Sequence, residues 1–269
     1  MIHERISLYE CKEQPYMDAY ILDYICHSAG QGIDEPRGAV VVVPGGGYAI
    51  TSKREGEPVA MKFAAAGYHT FVVWYRTMPR KYTEPLEDLA RAVATVRARA
   101  AEWNVNPNDI TTCGFSAGGH LAASLGVFWD QPFLSELVGM DSECFRPNRQ
   151  ILSYPVISSG EFAHRGSFEN LTGGDASFYD FLSLENQVSK NVPPTFLWHT
   201  ASDSTVPVEN SLLFAKALSA YQIPFEMHIF PKGRHGLSIA EKHSSAGSAE
   251  LISPDCAQWV DLATKWLTK

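Results

Sequence analysis

The stretch of residues 110–121 constrains the fold more than any other part of the chain. It reads Ile-Thr-Thr-Cys-Gly-Phe-Ser-Ala-Gly-Gly-His-Leu, which predicts a short buried strand, an abrupt turn and a helix that begins with small residues. Gly114, Ser116 and Gly118 fit the pattern G-x-S-x-G, in which a serine sits at the tip of a turn too tight for bulky neighbours. The N–H of Ala117 and the positive end of the helix dipole would then face negative charge that develops beside this serine.

Strands and helices alternate along the chain. The apolar run at 39–43 is typical of a strand that is buried on both faces of a parallel sheet. After Pro85, apolar residues recur at intervals of three and four up to Trp103, which predicts one amphipathic helix. Further strands are expected at 70–75, 151–154, 195–200 and 225–230, and further helices at 58–66, 117–128 and 209–220. The alternation predicts an α/β fold, with a mostly parallel, doubly wound sheet flanked by helices.

No internal repeat or linker divides the sequence, so we expect one domain over residues 1–269. A strand is expected from Asp18 to Cys26, with a break at 28–32, and a last helix is expected after Ser253. The segment at about 155–194 has no clean period, which favours a short cap-like insert. Its aromatic stretch at 178–181 would either cover the site or form a homodimer contact, and both interpretations stay open.

Composition excludes several classes of function. The formal net charge of −8 disfavours nucleic acid and anionic membranes as partners. No apolar run approaches the roughly 18 residues of a membrane span, and the polar N-terminus does not resemble a signal peptide. The five cysteines are odd in number and lack C-x-x-C spacing, so neither a disulfide framework nor a metal site is expected. These features together predict a cytoplasmic protein.

A serine hydroxyl needs a base to take its proton, and the base needs a carboxylate behind it. Asp203 follows the strand predicted at 195–200, and His235 follows the strand predicted at 225–230. Taken singly, the aspartate could close an Asx turn and the histidine could be an ordinary loop residue. Their order after Ser116, each beyond a strand end, favours a catalytic triad. Weaker candidates for the base and the acid are His199, His228, His243 and Asp175.

Three glycines at 45–47 directly follow the apolar strand at 39–43. An oxyanion hole needs backbone N–H groups that converge without side chains in the way, which a glycine loop provides. The sequence therefore predicts Gly46, Gly47 and Ala117 as the N–H donors, with the choice among the glycines open. A phosphate-binding loop is the alternative, but G-x-G-x-x-G and a Walker lysine are absent, so no nucleotide or other cofactor is expected.

Tyr48 and Tyr154 fall just beyond strand ends near the same edge of the predicted sheet. Both are candidates to line the substrate pocket, and packing in the core is the alternative for each. Two further sets of polar residues lie near these motifs. The charge cluster of Arg54, Glu55 and Glu57 is expected to be a solvated or a loop-bracing network, and His120 is expected to support the serine turn.

The chain resembles the α/β-hydrolase superfamily, and within it the small bacterial carboxylesterases related to hormone-sensitive lipase and to acetyl-xylan esterases. The resemblance runs from roughly residue 38 to 268 and rests on these segments: Pro-Gly-Gly-Gly-Tyr, Arg-Glu-Gly-Glu-Pro-Val-Ala, Gly-Phe-Ser-Ala-Gly-Gly-His-Leu, Pro-Pro-Thr-Phe-Leu-Trp-His-Thr, Asp-x-x-Val-Pro and Gly-x-His-Gly.

This resemblance implies an α/β-hydrolase fold and hydrolysis of a small-molecule ester through an acyl-enzyme, without a metal. It also implies a preference for short acyl groups, often acetyl on a sugar or a xylo-oligosaccharide. Pro44 stands where many relatives have histidine, which affects the support of the glycine loop rather than its N–H donors. The alternatives are a serine peptidase or thioesterase on the same fold, and a non-catalytic protein that binds small molecules.

Overall fold

The computed structural model describes residues 1–10, 15–23, 35–79 and 82–269. The break expected at 28–32 and the predicted strand end at Cys26 lie outside these residues. Within the described ranges, no helix combines the length and the apolar composition that a membrane crossing requires.

One eight-stranded sheet forms the centre of the molecule. Its strands are β1 Ile2–Ser7, β2 Tyr16–Ile21, β3 Arg37–Val43, β4 His69–Trp74, β5 Val105–Phe115, β6 Arg149–Ser153, β7 Thr195–Thr200 and β8 Phe225–Phe230. Their spatial order is β1-β2-β4-β3-β5-β6-β7-β8. The pairs β1–β2 and β2–β4 are antiparallel, and every pair from β4 to β8 is parallel. The mostly parallel sheet predicted from the sequence is therefore confirmed.

Helices flank this sheet. They are α1 Glu57–Ala65, α2 Thr83–Ala98, α3 Ala100–Trp103, α4 Ala117–Phe128, α5 Pro132–Val138, α6 Ser142–Phe145, α7 Arg165–Thr172, α8 Tyr179–Leu182, α9 Glu209–Ala220, α10 Pro254–Ala257 and α11 Trp259–Leu267. Short 3-10 helices at Lys53–Glu55, Ala176–Phe178, Leu184–Asn186, Lys242–Ser244 and Ala249–Leu251 complete the described elements.

The strand β3 shows why the sheet carries helices on both faces. Its residues from Ala39 to Val43 are fully buried, although successive side chains of a strand point to opposite faces. Val41 belongs to the apolar core that α2 and α4 form on one face, whereas Val42 belongs to the core that α1 and α11 form on the other. The continuous apolar run in the sequence thus reflects burial on two sides.

The structure differs from the sequence prediction at two helices. The helix expected over 83–103 is divided into α2 and α3 at Arg99, whose backbone leaves the helical conformation. The last helix is likewise divided into α10 and α11 at Gln258. Apolar periodicity continues across both interruptions because each pair of helices covers the same side of the sheet.

The irregular segment at 155–194 contains α7, α8 and two of the 3-10 helices. In its aromatic stretch, Phe181 stacks on Phe128 of α4 with ring centroids 4.8 Å apart, and Phe178 packs against Tyr82. Neither ring lines the cleft that contains Ser116, so this stretch does not cover the site. The alternative of a dimer contact remains a prediction.

Parallel strands end at one edge of a sheet, and this topology decides where the predicted site residues meet. The ends of β3, β5, β7 and β8 lie at that same edge because these strands run in the same direction. The glycine loop, Ser116, Asp203 and His235 each follow one of these ends. Crevices outside the carboxyl ends of parallel strands are the usual position of a ligand site in open α/β sheets.

Candidate active site

Ser116 occupies the tight turn between β5 and α4. Its φ of 53° and ψ of −120° lie outside the regions that residues with side chains normally adopt. A Cβ added at Gly114 would lie 2.3 Å from the carbonyl oxygen of Gly118, and one added at Gly118 would lie 2.2 Å from that of Val43. Both positions therefore require glycine, which explains the spacing seen in the sequence.

The structure brings together the three residues that the sequence predicts as a triad. Nε2 of His235 lies 2.7 Å from Oγ of Ser116, and Nδ1 of His235 lies 2.6 Å from Oδ2 of Asp203. Because a carboxylate only accepts hydrogen bonds, Nδ1 carries the proton of the neutral ring. Nε2 is then the acceptor for the hydroxyl proton of Ser116, which is the arrangement of a general base beside a nucleophile.

Asp203 is buried and held on both oxygens. Its Oδ1 accepts hydrogen bonds from the N–H groups of Thr205 at 2.9 Å and Val206 at 3.0 Å. Burial acts to raise the pKa of this carboxyl, but the neighbouring imidazoles of His199 and His235 and the N–H of Val206 outweigh burial and hold the pKa well below its usual range. Asp203 is therefore ionised at neutral pH, as the stabilisation of an imidazolium requires.

The weaker candidates for acid and base do not line the cleft, although Nε2 of His199 lies 3.5 Å from Oδ2 of Asp203. His199 is buried on β7, where Nδ1 contacts Oγ of Ser211 at 2.8 Å and Nε2 contacts the carbonyl of Val206 at 3.0 Å. The remaining three serve other contacts: His228 faces Glu226 on β8, His243 is exposed, and Asp175 accepts the N–H of Ser177 at the start of a 3-10 helix. None of these four residues lines the cleft that contains Ser116.

The glycine loop turns sharply over the serine. Gly46 has a φ of 132°, and a Cβ there would lie 2.2 Å from the carbonyl oxygen of Ile50. The N–H of Gly45 is already used, since it donates to Oε2 of Glu55 at 2.9 Å. The carbonyl of Pro44, which stands in place of the usual histidine, accepts a hydrogen bond from the Tyr75 hydroxyl at 2.7 Å.

Three backbone N–H groups remain available beside Ser116. Among the described residues, none accepts a hydrogen bond from the N–H of Gly46 or Gly47, and Ala117 begins α4, where an N–H has no partner within the helix. The carbonyl of Gly47 accepts a hydrogen bond from Nδ2 of Asn170 at 2.8 Å, so α7 also holds the glycine loop in place. These N–H groups are free to receive a hydrogen-bond acceptor, and their use as an oxyanion hole stays a prediction.

Tyr48 and Tyr154 do not line the substrate cleft, so this part of the prediction is corrected. Both side chains are about 2% exposed. The Tyr48 hydroxyl contacts Nδ1 of His120 at 2.8 Å, and the Tyr154 hydroxyl donates to Oε1 of Glu55 at 2.7 Å and accepts the N–H of Ser238. Each ring turns into the core because its hydroxyl finds a buried partner there, and Tyr154 packs edge-on beneath the ring of His235.

Arg54 and Glu55 brace the loops of the site, which is one of the two alternatives that the sequence left open. Glu55 is buried and joins the glycine loop to Tyr154 through the two bonds described above. Arg54 donates to the carbonyl of Gly236 at 3.0 Å and to that of Ser244 at 2.8 Å. The short helix at Lys53–Glu55 therefore fixes both the glycine loop and the loop that carries His235.

His120 supports the serine turn and does not reach the cleft. Its Nε2 lies 2.9 Å from the carbonyl of Leu182, which makes Nε2 the protonated nitrogen and Nδ1 the acceptor for the Tyr48 hydroxyl. Burial lowers the pKa of His120 to about 4, although the bond to Leu182 opposes this. The neutral ring thus joins α4 to the glycine loop and to α8.

The cleft at this edge has a volume of about 260 Å³. Besides Ser116, His235 and the glycine loop, its lining includes His164, a residue that the sequence analysis did not select. His164 lies in the segment without apolar periodicity, and no motif surrounds it. Among the described residues, no cluster of His, Cys, Asp and Glu has the geometry of a metal site.

Comparison with known proteins gives matches over most of the chain. A family model described as BD-FAE matches residues 29–152. Endo-1,4-beta-xylanase B of Butyrivibrio fibrisolvens is 40% identical over 226 residues, or 80% of this chain. Acetylxylan esterase of Xylanibacter ruminicola is 34% identical over 215 residues, or 77% of this chain.

A solved structure extends the match to nearly full length. The acetyl ester-xyloside bifunctional hydrolase from Caldicellulosiruptor lactoaceticus is 38% identical, with a TM-score of 0.81, and the alignment covers 98% of this chain and 95% of that one. By contrast, the matched region spans only 34% of the Butyrivibrio protein and 42% of the Xylanibacter protein.

Proposed function

Because this chain belongs to the α/β-hydrolase carboxylesterases related to hormone-sensitive lipase and to acetyl-xylan esterases, we propose that it is a serine esterase acting on short acyl esters, in particular acetyl esters of sugars or xylo-oligosaccharides. The observation that carries this proposal is the continuous hydrogen-bonded series Ser116–His235–Asp203, with contacts of 2.7 and 2.6 Å. A nucleophile, a base and an orienting acid in this geometry are the requirements of acyl transfer through a covalent intermediate.

The first half of the reaction acylates the serine. Oγ of Ser116 attacks the ester carbonyl while Nε2 of His235 takes the hydroxyl proton, and the ionised Asp203 stabilises the imidazolium. The oxyanion receives hydrogen bonds from the N–H groups of Gly46, Gly47 and Ala117. His235 then protonates the departing alcohol oxygen, and the carbon–oxygen bond to the alcohol breaks.

The second half releases the acid. Water takes the place of the alcohol, and His235 removes one of its protons as the water attacks the acyl-enzyme. The second tetrahedral intermediate uses the same backbone N–H donors. When it collapses, the proton on His235 returns to Oγ of Ser116, and the carboxylic acid leaves.

Two observations support a short acyl group on a sugar. The cleft of about 260 Å³ is smaller than the pockets that usually enclose a drug-sized ligand, at roughly 300–1,000 Å³. Among the relatives, the Xylanibacter protein is an acetylxylan esterase and the Caldicellulosiruptor protein acts on an acetyl ester and a xyloside.

The test measures release of acetate from acetylated xylo-oligosaccharides and of p-nitrophenol from p-nitrophenyl acetate. We expect Ser116→Ala to lower kcat by about 10³-fold or more, since the base then has no nucleophile to activate. The control is Ser177→Ala, which changes an exposed serine outside the cleft and leaves both activities intact. A fluorophosphonate probe labels the wild type and Ser177→Ala but not Ser116→Ala.

Near-normal activity of Ser116→Ala would refute the mechanism. Faster turnover of thioesters or peptide anilides than of any acetyl ester would refute the substrate class instead, because another acyl hydrolase on this fold would then fit better.

A further inference from the structure

His164 adds a second imidazole to the cleft of the triad. It immediately precedes α7 and is half-buried, and it lines the same cleft as Ser116, His235 and Gly47. The mechanism above does not use it. The insert at 155–194 therefore contributes one polar side chain to a cleft otherwise built at the ends of the strands.

The ring of His164 is held in place from one side. Its Nδ1 lies 2.8 Å from Oγ of Ser167, a buried residue whose N–H donates to the carbonyl of His164 at 3.0 Å. The other ring nitrogen, Nε2, makes no hydrogen bond to any residue that the structure describes. A fixed ring with one unused polar atom in a cleft is suited to bind a polar group of a ligand.

Charge favours a neutral ring at this position. Burial lowers the pKa of His164 and the neighbouring His235 lowers it further, whereas Asp203 acts in the opposite direction. His164 therefore remains uncharged near neutral pH. A neutral imidazole does not oppose the imidazolium that forms on His235 during the reaction, and it still offers a hydrogen bond.

One part of an acetyl ester, its alcohol portion, has polar groups that the mechanism leaves available to His164. The carbonyl oxygen is bound by backbone N–H groups, the departing oxygen receives its proton from His235, and the acetyl methyl forms no hydrogen bonds. Only the alcohol portion has further polar groups. On an acetylated sugar, these are the hydroxyl groups next to the esterified oxygen.

We propose that Nε2 of His164 hydrogen-bonds a free hydroxyl group on the sugar portion of the ester and so selects polyhydroxylated alcohols. This inference rests on the proposed esterase function. A site that hydrogen-bonds a substrate hydroxyl discriminates against analogues that lack it, because its own polar atom is then left unpaired.

The experiment compares three acetate esters: a mono-acetylated methyl β-xyloside with free neighbouring hydroxyls, the fully acetylated xyloside and p-nitrophenyl acetate. For His164→Ala, we expect kcat/KM on the mono-acetylated xyloside to fall about tenfold more than on the other two esters, as the loss of one hydrogen bond implies. Ser167→Ala keeps the imidazole but frees its orientation, so it should shift the same ratio in the same direction by less.

The matched control is Glu161→Ala, since Glu161 is exposed in the same segment and outside the cleft. It should leave all three values unchanged. An equal fall on the three esters would mean that His164 only shapes the cleft and would overturn the inference, as would no fall at all.

Different results would refute the proposed esterase function itself. If the wild type hydrolysed none of the three esters, or if Ser116→Ala retained activity, the esterase mechanism itself would be wrong. If the wild type cleaved p-nitrophenyl acetate but neither xyloside, the sugar-ester substrate and the role of His164 would both be refuted, and the serine mechanism would stand.

Discussion

The backbone of Ser116 is fixed from both sides in a conformation that costs free energy. Its N–H donates to the carbonyl of Ser153 at 3.0 Å, and its own carbonyl accepts hydrogen bonds from the N–H groups of His120 and Val156. A non-glycine residue with a φ of 53° and a ψ of −120° persists only where the surroundings leave it no alternative. This strained conformation places Ser116 in the lining of the cleft at the end of β5.

A comparison of two variants that lack the Ser116 hydroxyl isolates the strain. Ser116→Ala and Ser116→Gly both lack the hydroxyl, but only glycine adopts the native φ and ψ without a steric penalty. We expect Ser116→Gly to be more stable than Ser116→Ala by about 1 kcal/mol, after allowing for the greater freedom of glycine in the unfolded chain. Calorimetry should then show a melting temperature that is about 2–4 °C higher. Equal or reversed melting temperatures would show that the turn holds no such strain.

Individual site residues are predictable from sequence where a strand end fixes their position. Ser116, Asp203 and His235 each follow a strand, and parallel topology alone brings such residues to one edge. The same argument fails for Tyr48 and Tyr154, because a position after a strand does not decide to which side the chain turns. Both have positive φ values, of 59° and 38°, and their rings enter the core.

The helix α7 supports the site through one hydrogen bond to the glycine loop. Nδ2 of Asn170 donates to the carbonyl of Gly47, whose peptide continues into Tyr48. This bond limits rotation of the glycine loop, whose N–H groups form the proposed oxyanion hole. Preorganised donors contribute most when negative charge develops, so the effect belongs to the transition state more than to the bound ester.

Removing this bond should therefore change kcat more than KM. We expect Asn170→Ala to lower kcat by about tenfold with KM changed less than about twofold, since a misaligned donor loses part of its stabilisation. Asn170→Asp should lose more, because a carboxylate cannot donate to the Gly47 carbonyl. Glu169→Ala, on the exposed side of the same helix, is the control. A rise in KM at constant kcat would indicate a role in substrate binding instead.

Apolar periodicity in the sequence predicts the strands of the sheet and the longer helices that flank it, but it does not predict the short helices of the insert. The bounds of α4, α9, β7 and β8 agree with the sequence prediction, since each has an apolar face or run of clear length. The segment at 155–194 has no such period because α7 and α8, at eight and four residues, are too short to repeat an apolar pattern. His164 and Asn170 are therefore invisible to sequence reasoning, although both lie at the site.

At the scale of the whole molecule, His120 makes stability depend on pH. Its pKa is about 4 in the folded protein against 6.5 for a free histidine. Between these values the unfolded state binds a proton that the folded state does not, so the free energy of unfolding rises with pH. This stability is fully present above about pH 6.5 and is lost progressively as the pH falls towards 4.

Urea unfolding at pH 7 and pH 5 tests this dependence. We expect His120 to account for about 2 kcal/mol of the stability lost by the wild type between these two values. His120→Gln removes the titrating group, so its stability should fall by correspondingly less over the same interval, whatever its absolute stability. His243→Gln changes an exposed histidine and should behave as the wild type does. Parallel curves for all three proteins would contradict the role of His120.

Each side chain that braces the site binds at least one main-chain atom of the segment that it holds. Arg54 donates to carbonyls of the loop that carries His235, and His120 binds the carbonyl at the end of α8. On the glycine loop, Asn170 donates to a carbonyl and Glu55 accepts a hydrogen bond from an N–H group. Every residue type offers the same main-chain carbonyl. Mutant libraries for directed evolution can therefore randomise the receiving loop positions that do not require glycine, and should keep these four side chains constant to preserve the catalytic geometry.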